Sequence, residues 1–309
     1  MAKGDKLRFG IAIPQMFPAG RTDSGFIVNF LRRVESLGYD SVWVQEQILG
    51  VMPTLDPIPL LSYASAFSGQ LKLGTAVLLT PLTSPIHLAK SLATLDQLCN
   101  GRLIVGVGIG GYTDIYPAFG ISTDGRARRF EEGIQLLKML WTEERVTFQG
   151  RFWQMEGISI NPKPLQRPHP PIWFGAHARP ALKRAVKMGD GWMGAGSTST
   201  KAFKEHIRLV RQYLQEEGKG QASFPLSKRV YVAVDRDKEG AARKLQEWFG
   251  RYYGNPALAL EVAVFGSEEE CIEGLGEIAQ EGVDMLMLNP VYDMMEQAER
   301  LAQLVLPKL

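Results

Sequence analysis

The feature that most constrains this chain is its alternation of short, continuously apolar runs with longer stretches of helical period. "RFGIAIP" (8–14), "SVWVQE" (41–46), "LKLGTAVLL" (71–79) and "LIVGVG" (103–108) come first. "PIWFGA" (171–176), "DGWMGAG" (190–196), "RVYVAV" (229–234) and "VDMLMLNP" (283–290) follow. Strands that are apolar throughout, rather than at every second residue, belong to sheets covered on both faces, which are mostly parallel. Eight such strands separated by helices in about 300 residues predict an α/β chain folded as an eight-stranded TIM barrel. A doubly wound sheet with an appended domain is the rival arrangement.

The intervening segments carry helix signals. Ser84 and Pro85 read as the N-cap and first turn of a helix whose apolar face is Leu88, Leu92, Leu95 and Cys99, with Gly101 as the breaker. Phe130, Ile134, Leu137 and Trp141 share a face of the next strong helix, and Ala298, Leu301 and Val305 face inward on the last. Residues 143–170 break the rhythm. "VTFQGRFWQM" predicts a hairpin and "NPKPLQRPHPP" a proline-stiffened connection, an insertion before the fifth strand. No Gly/Ser-rich linker or shift of composition divides the chain, so one barrel domain over 1–309 is expected.

Lys plus Arg number 35 against 33 Asp plus Glu, so no electrostatic reason exists to expect nucleic acid or an anionic membrane as partner. Cys99 and Cys271 lack C-x-x-C spacing and a His/Cys cluster, which argues for a reducing compartment and against a zinc site. "MAKGDKLRFGIAIPQ" lacks a signal peptide's apolar stretch, and no run is long enough to cross a bilayer. A cytoplasmic protein is expected.

Gly106, Gly108 and Gly111 of "GRLIVGVGIGG" satisfy G-x-G-x-x-G, the dinucleotide fingerprint. In that fold the third glycine opens a helix, whereas here "YTDIYPAFGISTDG" intervenes, with Pro117 and two further glycines. The glycines read instead as a barrel strand that lets something flat approach, or that relieves crowding inside the barrel. In a TIM barrel the C-terminal strand ends carry the chemistry. They comprise Gln15, Glu46–Gln47, Ala76–Val77, 110–114, 175–177, 194–198, Asp235–Arg236 and Asn289. That set lacks paired carboxylates, Ser/His/Asp groups and metal ligands, so hydrolysis and metal chemistry have little support and no metal is expected. Small residues and amides suit a planar cofactor that brings its own chemistry.

Three ordered stretches carry a family resemblance: "LGTAVLLTPLTSPIHLAKSLATLDQLCNGRLIVGVGIGG", "FQGRFWQMEGISINPKPLQRPHPPIWFGA" and "AVKMGDGWMGAG". Residues 8–200 resemble the bacterial-luciferase-like superfamily of flavin and deazaflavin oxidoreductases. The resemblance implies a TIM barrel binding FMN or coenzyme F-420 at its C-terminal face, and a non-prolyl cis peptide between Ala76 and Val77. It implies that Asp114 contacts the ring edge, that Gly175, Ala176 and His177 lie beneath the ring and ribityl chain, and that Gly196, Ser197 and Thr198 lie near the phosphate. It also implies a small organic substrate, a homodimer and a separate flavin or F-420 reductase.

Glu46–Gln47 stands where some F-420-dependent members carry Asp-His, and Gly111 where some carry a carboxylate. Glu46 and His177 are left as the candidate acid/base groups, against a plain ion pair for Glu46 and a helix cap for His177. His87, His169 and His206, the "RARR" cluster (126–129) and Trp153, Trp173 and Trp192 read as packing or surface residues. The resemblance to "KPLQRPHPPIW" tilts toward the F-420 branch. A cofactor-binding protein without turnover and an NAD-dependent dehydrogenase are the alternatives.

Overall fold

In the computed structural model, residues 6–17, 20–111 and 113–309 are described. The strands in chain order are β1 (Arg8–Ala12), β2 (Ser41–Val44), β3 (Lys72–Thr75), β4 (Leu78–Leu79), β5 (Leu103–Gly108), β6 (Val146–Gln149), β7 (Gln154–Ile158), β8 (Ile172–Gly175), β9 (Gly191–Gly194), β10 (Leu226–Val234), β11 (Val264–Gly266) and β12 (Met285–Asn289). The α-helices are α1 (Ser24–Ser36), α2 (Pro57–Ser65), α3 (Pro85–Leu98), α4 (Arg126–Thr142), α5 (Arg179–Met188), α6 (Thr200–Glu216), α7 (Lys238–Tyr253), α8 (Leu258–Val262), α9 (Glu268–Ala279) and α10 (Met294–Arg300).

Parallel pairing runs β10–β12–β1–β2–β3–β5–β8–β9, and β9 pairs back onto β10, so eight strands close into a barrel. This is the predicted TIM barrel, and closure excludes the open-sheet rival. The helical segments cover its outside: Leu88, Leu92, Leu95 and Cys99 of the α3 segment and Phe130, Ile134, Leu137 and Trp141 of α4 are buried. Ser84 does sit at the N-cap of α3, but its side chain makes no capping bond. Inside the barrel, Trp43 and Trp173 lie 5.6 Å apart, ringed by Ala12, Ile104, Met193, Met285 and Met287. A Cβ on Gly74 would lie 2.2 Å from the Trp43 ring, so that glycine is the space the indole needs.

Three features depart from the reading of the sequence. The third strand is split into β3 and β4. The "RVYVAV" strand begins three residues earlier, at Leu226. The short strand β11, unforeseen, pairs with the last residues of β10, Val232–Val234, outside the ring. The expected hairpin is β6–β7, held to α4 by the buried Glu132 carboxylate, which accepts from the backbone N–H groups of Arg151 (3.1 Å) and Phe152 (3.0 Å) and from Arg128 (3.0 Å). Burial pushes that carboxyl up, but these donors outweigh it and leave its pKa below the usual carboxylate range. The proline-rich connection is fastened in the same way to buried Asp96, which accepts from the N–H groups of Leu165 (2.8 Å) and Gln166 (2.9 Å). Among the described residues no helix is long and apolar enough to cross a membrane.

Candidate active site

The split in the third strand shapes the barrel mouth. Gly74 pairs with Ile104 and Leu78 with Val107, so four steps along β3–β4 face three along β5, and one residue bulges inward. Thr75 closes the gap: its Oγ1 donates to the Gly106 carbonyl and accepts from the Gly106 N–H, both at 2.8 Å. The Ala76–Val77 peptide bond within the bulge is cis. Val77 lies over Gly108 and Gly175, where an added Cβ would lie 2.6 and 2.7 Å from its methyl groups. Gly106 and Gly108 of "GVGIGG", with Gly175, therefore make room for the bulge and leave a ledge almost free of side chains. Among the described residues no α-helix opens at Gly111; only a single 3-10 turn, Tyr116–Phe119, precedes α4, which begins at Arg126, and this removes the dinucleotide reading.

Glu46, at the end of β2, stands beside this ledge. Its carboxylate accepts from the backbone N–H of Leu79, just past the bulge. Burial pushes its pKa up to about 7, the Leu79 N–H opposes the shift, and Asp56 adds to it. At neutral pH this carboxyl can therefore both give and take a proton.

The other residues expected at the site lie around the same end of the barrel. Gly175 ends β8 and the buried Ala176 comes next. His177 follows, exposed, with its ring 6.4 Å from that of His206. Ala178, not His177, is the N-cap of α5, so the capping reading of His177 fails. Asp114 is exposed, with the Thr113 hydroxyl 3.5 Å away. Gly196, Ser197 and Thr198 form the turn before α6, whose N-cap is Ser199. Of the tryptophans weighed as substrate contacts, Trp173 fills the barrel, Trp192 stacks on Phe203 at 5.5 Å, and Trp153 packs against Arg129 at 4.5 Å.

Two residues that carry much of the site escaped the sequence reading. Strand alternation in β10 sends neighbouring Lys228 and Arg229 to opposite faces, and both are buried. Lys228 donates to the carbonyl oxygens of Ala195 and Thr198 and to the Thr198 hydroxyl, pinning the 195–198 turn. Burial and the neighbouring Arg229 charge push its pKa down to about 7. Arg229 crosses the barrel mouth. It donates to Asn289 Oδ1 (2.6 and 2.9 Å), Tyr231 Oη (2.8 Å), the Gln45 side-chain oxygen and the Ala76 carbonyl (3.3 Å). It thereby ties β10 to β12, β2 and the bulge on the opposite wall. Beside this floor a recess opens over β12, β1 and β2, lined by Gln15, Met16, Trp43, Gln45, Met287 and Asn289 and by Met294 and Trp248 from α10 and α7.

The family model for luciferase-like monooxygenases matches residues 7–285. The chain belongs to that family. Over 181 residues it is 34% identical to the FMNH(2)-dependent dimethylsulfone monooxygenase of Pseudomonas putida, covering 58% of this chain and 48% of that protein, so the match spans about half of that relative. It is 27% identical over 257 residues to the F-420-dependent glucose-6-phosphate dehydrogenase of Kineococcus radiotolerans, covering 79% and 73% of the two chains. The solved structure of monooxygenase RslO1 from Streptomyces bottropensis superposes with a TM-score of 0.81 at 26% identity, covering 97% of this chain and 99% of that one. An F-420-dependent secondary alcohol dehydrogenase in complex with an F-420–acetone adduct shares the fold with a TM-score of 0.86 at 20% identity, covering 98% and 99%. The luciferase-like barrel is thus shared with relatives named for either cofactor.

Proposed function

We propose that this chain is an oxidoreductase that holds the flat tricyclic ring of FMN or coenzyme F-420 at the barrel mouth and acts on a small organic substrate. The observation that carries this reading is the ledge of Val77, Gly108 and Gly175, poor in side chains, flanked on one side by Glu46 and on the other by the 196–198 turn. A planar ring needs an opening of that kind. Its phosphate-bearing tail needs N–H and hydroxyl groups near a helix start, which Gly196, Ser197 and the first turn of α6 offer, while Thr198 shapes the turn by donating its N–H and hydroxyl to the Ala195 carbonyl. When bound, either ring supplies two-electron redox chemistry, with dioxygen as co-substrate for reduced FMN or by direct hydrogen transfer for F-420.

The chain's own work is then positional and protonic. Val77 supports one face of the ring, and Ala76, Gly175 and Ala176 admit it closely. Asp114 and His177 stand at its margin, Lys228 keeps the tail-binding turn in place, and Glu46 holds or releases a proton at its carboxyl. Trp248 and Met294 shield the adjoining recess from water. The protein is a single barrel domain working in the cytoplasm as a homodimer, supplied by a separate flavin or F-420 reductase.

The test is to load the protein with FMN and, separately, with F-420, reduce it, and follow reoxidation by dioxygen and by organic acceptors. Reoxidation faster than that of the free cofactor supports an enzyme. Binding with reoxidation no faster than in solution leaves a carrier, and no binding of either cofactor removes the reading.

A further inference from the structure

Arg229 is a buried cation whose every hydrogen-bond acceptor is neutral: an asparagine, a glutamine, a tyrosine and a peptide carbonyl. Among the described residues it forms no ion pair, and neither does Lys228 beside it. The tyrosines around it, Tyr231, Tyr253 and Tyr252, favour the charged guanidinium but bring no carboxylate, and burial holds the Tyr231 pKa far above the usual tyrosine range. Glu46 is engaged with Leu79 instead. Guanidinium groups in protein interiors are normally matched by a carboxylate, since taking a charge out of water costs several kcal/mol unless an opposite charge replaces the lost solvation. Here the hydrogen bonds are satisfied and the charge is not.

The uncompensated charge lies directly behind the recess. Gln45 and Asn289, which hold the guanidinium, also line that space together with Gln15, whose amide is spent on the backbone of Gln45 and Leu55, while Trp43, Trp248, Met287 and Met294 make the rest of the wall mainly apolar. No Asp, Glu, Lys or Arg lines it. Taking the mouth as the reaction site, as proposed above, we infer that the substrate is an organic monoanion. Its carboxylate-like head enters the recess, a space of about 50 Å³, rests against the Gln45 and Asn289 amides and supplies the counter-charge that the chain withholds from Arg229, while its apolar body extends over the barrel mouth. A neutral substrate of the same shape gains the apolar contacts but leaves the buried charge unanswered.

Two measurements test this. Calorimetric titration, on the chain alone and on cofactor-loaded protein, compares benzoate with benzamide and hexanoate with hexanamide. Each acid is expected to bind at least ~10-fold more tightly than its amide, about 1.4 kcal/mol of charge compensation. Asn289→Asp and Gln45→Glu each place a carboxylate on the guanidinium from within the chain. Both are expected to raise the thermal midpoint and to abolish the preference for the acids. Equal affinity for acid and amide, no binding of either acid, a preference that survives in the variants, or a lower midpoint or failure to fold in both variants overturns the inference. Flavin and F-420 titrations of the same samples report on the proposed cofactor site independently, so failure of the anion site is distinguishable from failure of the cofactor reading.

Discussion

Glu46→Gln is the most informative single change at the mouth. The amide keeps an oxygen to accept from the Leu79 N–H, so local geometry is conserved, while the titrating proton is removed. In the folded chain the carboxyl has its pKa raised from 4.5 to about 7, chiefly by burial. A raised pKa means that the folded state binds this proton more tightly than the unfolded one. Its contribution is therefore fully present below about pH 4.5 and is lost as pH rises through about 7. A shift of this size corresponds to about 3 kcal/mol, and partial exposure reduces that to about 2. Denaturant unfolding of both proteins across this range isolates the group, because every other titration cancels in the difference. The variant's stability relative to wild type is expected to climb by about 2 kcal/mol between about pH 4.5 and about pH 8. A difference that stays flat would show that Glu46 titrates normally and refute its assignment as a neutral-pH proton group. In the cofactor-loaded enzyme the same variant is expected to lose about 10²-fold or more in kcat, and full turnover would remove Glu46 from the reaction.

Two further substitutions probe the scaffold around it. Gly106→Ala puts a Cβ 1.7 Å from the Thr75 carbonyl oxygen, a backbone atom that cannot step aside, so a loss of about 3 kcal/mol or more, or insoluble protein, is expected in denaturant unfolding. Lys228→Met removes a group whose pKa the fold pushes down to about 7. Wild-type stability should rise as pH climbs from about 7 toward the usual lysine range, because the unfolded chain there holds a proton that the folded one has released; the variant should lack that rise while binding FMN or F-420 more weakly through its loosened 195–198 turn.

The barrel was readable because its strands are apolar on both faces and its helices carry plain amphipathic faces, as Phe130, Ile134, Leu137 and Trp141 show. The insertion was readable from the turn and proline signals between 146 and 171. The glycines of "GVGIGG" could be cleared of the dinucleotide role from the missing helix, but the neighbours of Gly106 and Gly108, Thr75 and Val77, each lie 31 residues earlier in the chain and show only in three dimensions. Lys228 and Arg229 were missed for a geometric reason. Reading chemistry from strand ends selects Asp235 and Arg236, yet β10 runs on past the rim to pair with β11, so Tyr231, level with Asn289 at the mouth, and Arg229 and Lys228 just before it lie in mid-strand. Two adjacent cations in an otherwise apolar strand were the available signal. His206, by contrast, gave no signal beyond helical period, and its proximity to His177 follows only from the packing of α6 beside the end of β8.

The central claim is that a flat redox ring rests on the ledge between Glu46 and the 196–198 turn, and a crystal structure with FMN or F-420 bound tests it most directly. The account predicts ring density in van der Waals contact with Val77, close over Gly108 and Gly175, with the phosphate end at Gly196–Thr198. A ring seated elsewhere on the molecule, or a mouth that stays empty at saturating concentrations of both cofactors, would contradict it.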